Sequence, residues 1–151
     1  MGFLAYKGFE QDLTCRGFQY EIGKTYTMVG SPEICKRGFH FCRNLIDVLG
    51  YYPTTFLLDD YLHAPYDDYL NLYPKRMITG NRYCVVEVIG ETAWDDRYDS
   101  KGVTNQIKIV RELTKEEFAK ITSKERIERD AIVREILFGD GKFMYTEANV
   151  D

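Results

Sequence analysis

Apolar and polar positions change period along this chain, and each change marks an element. Phe3 to Phe9 alternates imperfectly and is rich in aromatics, which predicts a strand running into the polar turn Glu10-Gln11-Asp12. An extended piece around Thr14 to Tyr20 leads through Gly23-Lys24 to a short strand at Thr25-Tyr26-Thr27-Met28, and Gly30-Ser31-Pro32 breaks the chain. In Gly38-Phe39-His40-Phe41-Cys42 the alternation sets Phe39 and Phe41 on one face of a strand and His40 and Cys42 on the other. The period then lengthens: Leu45, Val48, Leu49 and Tyr52 recur at helical spacing behind Asn44, a good N-cap, with Asp47 in the first turn and Pro53 as the stop. Tyr83 to Ile89 is apolar on both faces apart from Glu87, as a central strand should be, and Ile107, Ile109 and Leu113 alternate with polar residues.

Near the end, Thr114-x-x-Glu117 and Thr122-x-x-Glu125 both have capping-box spacing and predict two helix starts. The second helix is expected over about Ser123 to Phe138, with Glu125/Arg129 and Asp130/Arg134 pairs, burying Ile127, Ala131, Ile132 and Ile136. Strands first and helices last predict an α+β fold: a mostly antiparallel sheet with a short central helix and C-terminal helices. One domain over residues 1–151 is expected, with a helical C-terminal extension at 114–151. Residues 54–73 break the pattern. They carry four Asp, no Lys or Arg, and Tyr61, Tyr66, Tyr69 and Tyr73, and read as an acidic insertion in which Asp59-Asp60-Tyr61-Leu62 recurs as Asp67-Asp68-Tyr69-Leu70.

Composition narrows the classes. At 151 residues, 44% hydrophobic and 15% aromatic, the chain has enough apolar surface for one core. A net charge of −4 argues against nucleic-acid binding, which calls for a basic face. No run approaches the ~18 apolar residues of a membrane span, and the start lacks a signal-peptide plan, so the cytoplasm is the expected compartment and the four cysteines read as thiols.

The candidate chemistry is sparse. Phosphate-loop, dinucleotide-turn and nucleophile-elbow motifs are absent, and with only two histidines a paired-histidine zinc site is excluded. Cys15, Cys35, His40 and Cys42 form the best metal set, but their spacing lacks the close pairs of structural zinc, and buried thiols with no metal are the expectation. A Cys42 nucleophile served by His40 is disfavoured because the pleat holds same-face neighbours apart. The acidic stretch suggests a binding lobe, with Asp59, Asp60, Tyr61, Tyr66, Asp67, Asp68 and Tyr69 as its contact residues, since tyrosines anchor interfaces at low entropic cost. Glu87, a carboxylate on a buried strand, needs a partner or a pocket, and Lys7 and Arg16 are the candidate partners.

Tyr6-Lys7-Gly8-Phe9, Cys15-Arg16-Gly17-Phe18-Gln19-Tyr20, Cys35-x-x-Gly38-Phe39-His40-x-Cys42, Asp47-Val48-Leu49-x-Tyr51-Tyr52-Pro53 and Val86-Glu87-Val88-x-Gly90 together resemble an uncharacterised domain family of phages and bacteria, over about residues 5 to 113 outside the insertion. That resemblance carries no activity and implies only a phage-encoded protein acting in the bacterial cytoplasm. The role expected of such a chain is that of a small interaction protein that binds a host protein or sequesters a small-molecule ligand, directed against host defence; its charge, hydropathy and missing motifs lead to no nucleic acid, membrane or cofactor being expected as partners. The order of elements is also similar to ADP-ribosyltransferase folds. This second resemblance implies an NAD-using enzyme in which Lys7 takes the ribose-clamping place, Tyr51 or Tyr52 the ring-stacking place, and Glu87 or Glu112 the acid's. Lysine for the usual Arg or His, and the missing Ser-Thr-Ser segment, depart from that pattern, so catalysis is left open.

Overall fold

A computed structural model describes residues 2–34, 36–53, 80–95 and 99–139. The chain divides into two compact units, Met1–Lys115 and Glu116–Asp151. The acidic stretch expected to bind a partner, including Asp59, Asp60, Tyr61, Tyr66, Asp67, Asp68 and Tyr69, lies outside the described residues, as does Cys35.

The first unit is built on a seven-stranded sheet in which every pairing is antiparallel. Its strands are β1 (Phe3–Phe9), β4 (Thr25–Thr27), β5 (Phe39–Cys42), β6 (Arg82–Val88), β7 (Thr92–Trp94), β8 (Lys101–Thr104) and β9 (Gln106–Glu112), in the order β4-β9-β6-β1-β5-β8-β7. A small hairpin, β2 (Thr14–Cys15) with β3 (Phe18–Gln19), stands beside it. With the 24-residue helix of the second unit, this is the expected α+β class.

The register explains the core. β1 pairs with β6 at all seven positions, so Phe3, Ala5, Lys7 and Phe9 share a face with Val88, Val86, Cys84 and Arg82. The apolar members of these rows join Ile107 and Ile109 of β9 in the main cluster, where Phe9, Val86, Ile107 and Ile109 are fully buried. Each such side chain contributes about 1.5–3 kcal/mol by leaving water. Leu4, Tyr6 and Gly8 point to the other face, against which the short helix α1 (Leu45–Val48) is set. Gly8 is required there: a Cβ would stand 2.8 Å from both Tyr52 Cβ and Val48 Cγ1.

Three expectations are corrected. The helix behind Asn44 is only four residues long and Asn44 makes no side-chain cap bond, because its neighbourhood is organised by a longer-range link: buried Asp47 accepts from the Ser100 amide (3.0 Å) and hydroxyl (2.8 Å), and that hydroxyl accepts from the Asn44 amide (2.9 Å). The Thr122 capping box does not start a helix. One helix, α2 (Lys115–Phe138), runs through it, and the Thr122 hydroxyl bonds back to the Phe118 carbonyl at 2.8 Å, satisfying itself within the helix. Finally, Ile127, Ala131, Ile132 and Ile136 are exposed rather than buried. A helix this long and this rich in Glu, Lys and Arg has the propensity to form without burying a whole face.

Candidate functional site

The two edges of β1 behave differently. Against β6 it is paired throughout, whereas against β5 the only partners are Tyr6 and Cys42. Beyond that point the strands part, and a cleft of about 820 Å³ opens between them. Its walls are Tyr6 to Gly8 of β1, His40 to Cys42 of β5, the segment from Val48 to Pro53, and the turn and hairpin residues Glu10 to Asp12, Cys15 and Arg16, with Asn81 and Lys101 at the margins. A second cavity of about 250 Å³ adjoins it and shares Lys7, Cys15, Arg16 and His40.

Lys7 is the polar member of a core-facing row, and it is 3% exposed. Its ammonium donates to the His40 carbonyl at 2.6 Å, occupying an acceptor on the strand from which β1 has parted. The rings of Tyr20 and Phe9 lie 5.2 and 5.9 Å from Nζ. Burial pulls the Lys7 pKa below its usual 10.5, and the nearby Cys15 and Cys42 thiols offset part of that shift.

Arg16 is placed by the hairpin turn. Thr14 pairs with Gln19 and Cys15 with Phe18, leaving Arg16 (φ 54°) and Gly17 (φ 81°) as a two-residue turn with both residues left-handed. For a non-glycine this conformation costs about 1–2 kcal/mol. Two polar side chains hold the turn in place. The Asp12 carboxylate accepts from the Thr14 amide and hydroxyl, which keeps it below the usual carboxylate range, and the Gln19 amide donates to the Asp12, Leu13 and Tyr20 carbonyls. The Cys-Arg-Gly-Phe-Gln run is thus a device for presenting Arg16 at the cleft.

His40 lies among cations. Its Nε2 is buried and has no hydrogen-bond partner among the described residues. Burial, then the charges of Lys7, Arg16 and Lys101, depress its pKa from 6.5 to about 4. Neutral at pH 7, it offers an imidazole edge toward a strongly positive surround. The cysteines are poor nucleophiles: Cys15, Cys42 and Cys84 are free and buried, and burial pushes the Cys42 and Cys84 thiols up to about 12. Tyr52 donates to Cys15 Sγ at 3.2 Å, while Tyr51 donates to Asp99 at 2.7 Å and has Lys101 over its ring. No three His, Cys, Asp or Glu side chains gather to hold a metal ion among the described residues.

Of the residues singled out from the sequence, Lys7, Tyr51 and Tyr52 come together in the cleft. Glu87 does not. The register sets it between Leu4 and Lys108 on the face opposite Lys7, so the expected Lys7 partnership is replaced by the Lys7 bond to His40. Glu87 is also half-buried rather than enclosed. Glu112 is held by Arg82 through a paired contact, 2.7 and 3.0 Å, at the other end of β6. Sequence reasoning missed the roles of Arg16 and Lys101 at the cleft and weighed His40 only as a metal ligand or base. The Arg-Gly turn dipeptide was the available signal for Arg16.

No helix among the described residues is long and apolar enough to cross a membrane. No curated protein and no solved structure matches the chain. A family model, described as a domain of unknown function (DUF7666), matches residues 3–58 and 61–121, a span that takes in β1 to β9, α1 and the start of α2. The chain therefore belongs to this uncharacterised domain family.

Proposed function

We propose that the domain is a binding module that captures a small anionic ligand in the cleft between β1 and β5. The observation that carries this reading is the gathering of Lys7, Arg16 and Lys101 around His40, whose buried Nε2 has no partner among the described residues, at a cavity of ligand size. Salt bridges engage neither Lys7 nor Arg16 among the described residues, so an incoming anion would meet uncompensated charge. Holding Arg16 in a costly backbone conformation at the rim also supports a binding role, since such strain gathers at functional sites. This is the ligand-sequestering form of the interaction role implied for a phage-type protein acting against host defence.

Titration calorimetry with inorganic pyrophosphate, at low and high salt, tests the reading. Binding that weakens at least tenfold in Arg16→Ala and falls with salt is expected; no binding, or binding indifferent to both, would overturn it. The ADP-ribosyltransferase reading draws support from Lys7 and Tyr51 lining one cleft. Incubation of the wild type with labelled NAD and bacterial lysate is its test: no labelled product is expected, and labelling would favour the enzyme.

A further inference from the structure

The smaller cavity differs in chemistry from the cleft it adjoins. Beyond the shared Lys7, Cys15, Arg16 and His40, its walls include the rings of Phe18, Tyr20 and Phe39. These belong to a chain of edge-to-face contacts running outward from the core: Phe9 to Tyr20 at 5.3 Å, Tyr20 to Phe18 at 4.7 Å, and Phe18 to Phe39 at 6.1 Å. Phe18 within it is 45% exposed, whereas its aromatic neighbour Tyr20 is buried to 4%. At about 250 Å³ the chamber falls below the ~300 Å³ of a complete ligand site, so it reads as a compartment of a larger one.

The charges say what sort of compartment. Among the described residues Lys7, Arg16 and Lys36 line it without any carboxylate, so a cationic group is disfavoured there by repulsion. Glu10 and Asp12 line only the larger cleft, which leaves the shared waist of Lys7, Arg16 and His40 as the most positive point along both cavities. A ligand satisfying both features carries an anionic group joined by a short linker to a flat, uncharged ring.

We infer that the ligand is a phosphorylated aromatic compound of nucleotide size, with its phosphate at the Lys7, Arg16 and His40 waist and its ring against Phe18 and Phe39. The inference rests on the anionic-ligand reading above and adds the ring. The phosphate oxygens accept from Arg16 and from the Nε2–H tautomer of His40, the buried atom that otherwise has no partner. Lys7, already bonded to the His40 carbonyl, supplies its charge from behind. The ring stacks on the exposed Phe18, a contact worth on the order of 10- to 100-fold in affinity for a nucleobase.

Titration calorimetry of the full chain with AMP, ribose 5-phosphate, inorganic pyrophosphate and adenosine separates the two levels of the argument. AMP is expected to bind at least tenfold more tightly than ribose 5-phosphate, and Phe18→Ala should erase that margin while leaving ribose 5-phosphate unchanged. Saturation-transfer NMR on the wild type, which needs no variant, should give its strongest signals on the base protons. Equal affinity for AMP and ribose 5-phosphate, or weaker transfer to the base than to the ribose, would overturn the ring and spare the anion site. Failure of every phosphate-bearing probe, or adenosine binding as well as AMP, would overturn both.

Discussion

The seam between β1 and β6 and the gap between β1 and β5 are the two edges of one strand, and they do opposite work. On the β6 edge seven residue pairs close the backbone ladder and line up Ala5 and Phe9 with Val86 and Ile109 in a dry core. On the β5 edge one pair closes, and the space released beyond it takes a lysine side chain, a strained turn and an imidazole whose Nε2 has no partner among the described residues. A single core-facing row, Phe3 to Phe9, thus supplies hydrophobic anchorage and the cleft's deepest charge. The seam tolerates the gap: burying Lys7 is costly, but its ammonium is satisfied by a carbonyl that the missing pairing would otherwise have used.

Mutations can set the two edges against each other. Ile109→Ala, on β9 in the core that the seam lines, should have the largest effect, a loss of about 2–5 kcal/mol in urea unfolding from the emptied core volume, with pyrophosphate affinity of the folded fraction unchanged. If affinity fell in parallel, the edges would not be separable. Gly8→Ala faces the α1 side, where its methyl would press on Tyr52 and Val48; a loss of about 1–3 kcal/mol is expected together with weaker ligand binding, because Tyr52 is a cleft wall. Arg16→Gly should separate the two readouts in the opposite direction. It relaxes the left-handed turn and raises stability by about 1 kcal/mol while lowering pyrophosphate affinity.

The last expected effect is a pH dependence at His40. Its folded pKa of about 4 lies below the unfolded value near 6.5, so between those values the unfolded chain binds a proton that the folded one does not. The contribution is fully present above about pH 6.5 and is lost as pH falls toward 4. The fall in melting temperature between pH 7 and 4.5 should therefore be shallower in His40→Gln than in wild type. An identical slope in the two proteins would remove His40 from the charged cluster.

Local apolar patterning exposed the seam. Phe3 to Phe9 alternates imperfectly, Tyr83 to Ile89 is an apolar run broken only by Glu87, and the Ile107/Ile109 row alternates with polar residues, and with the helix signals that follow them these gave the α+β class. Strands β7 and β8 went unread because Thr92–Trp94 and Lys101–Thr104 are three and four residues long, and β8 carries a glycine; only pairing with distant neighbours makes them strands. The gap was harder still. Lys7 was singled out through resemblance, but its acceptor lies 33 residues away, and no local pattern reports where two strands cease to pair. Thr122 erred in the opposite sense: its capping spacing is genuine, yet a helix already under way absorbs the hydroxyl.

One detail at the cleft's rim bears on how such a domain can vary. The Asn81 side chain donates to the Pro53 carbonyl, and the Tyr83 hydroxyl to the Tyr52 carbonyl, so the chain is clasped where residues 54–79 leave and return. A clasp of this kind decouples the length of the intervening segment from the fold, because closure entropy grows only by about 0.6 kcal/mol for each doubling. Pro53, Asn81 and Tyr52 are also cleft walls. The position is therefore one at which the length of the intervening chain is set independently of the sheet beneath, at the rim of the proposed binding cleft.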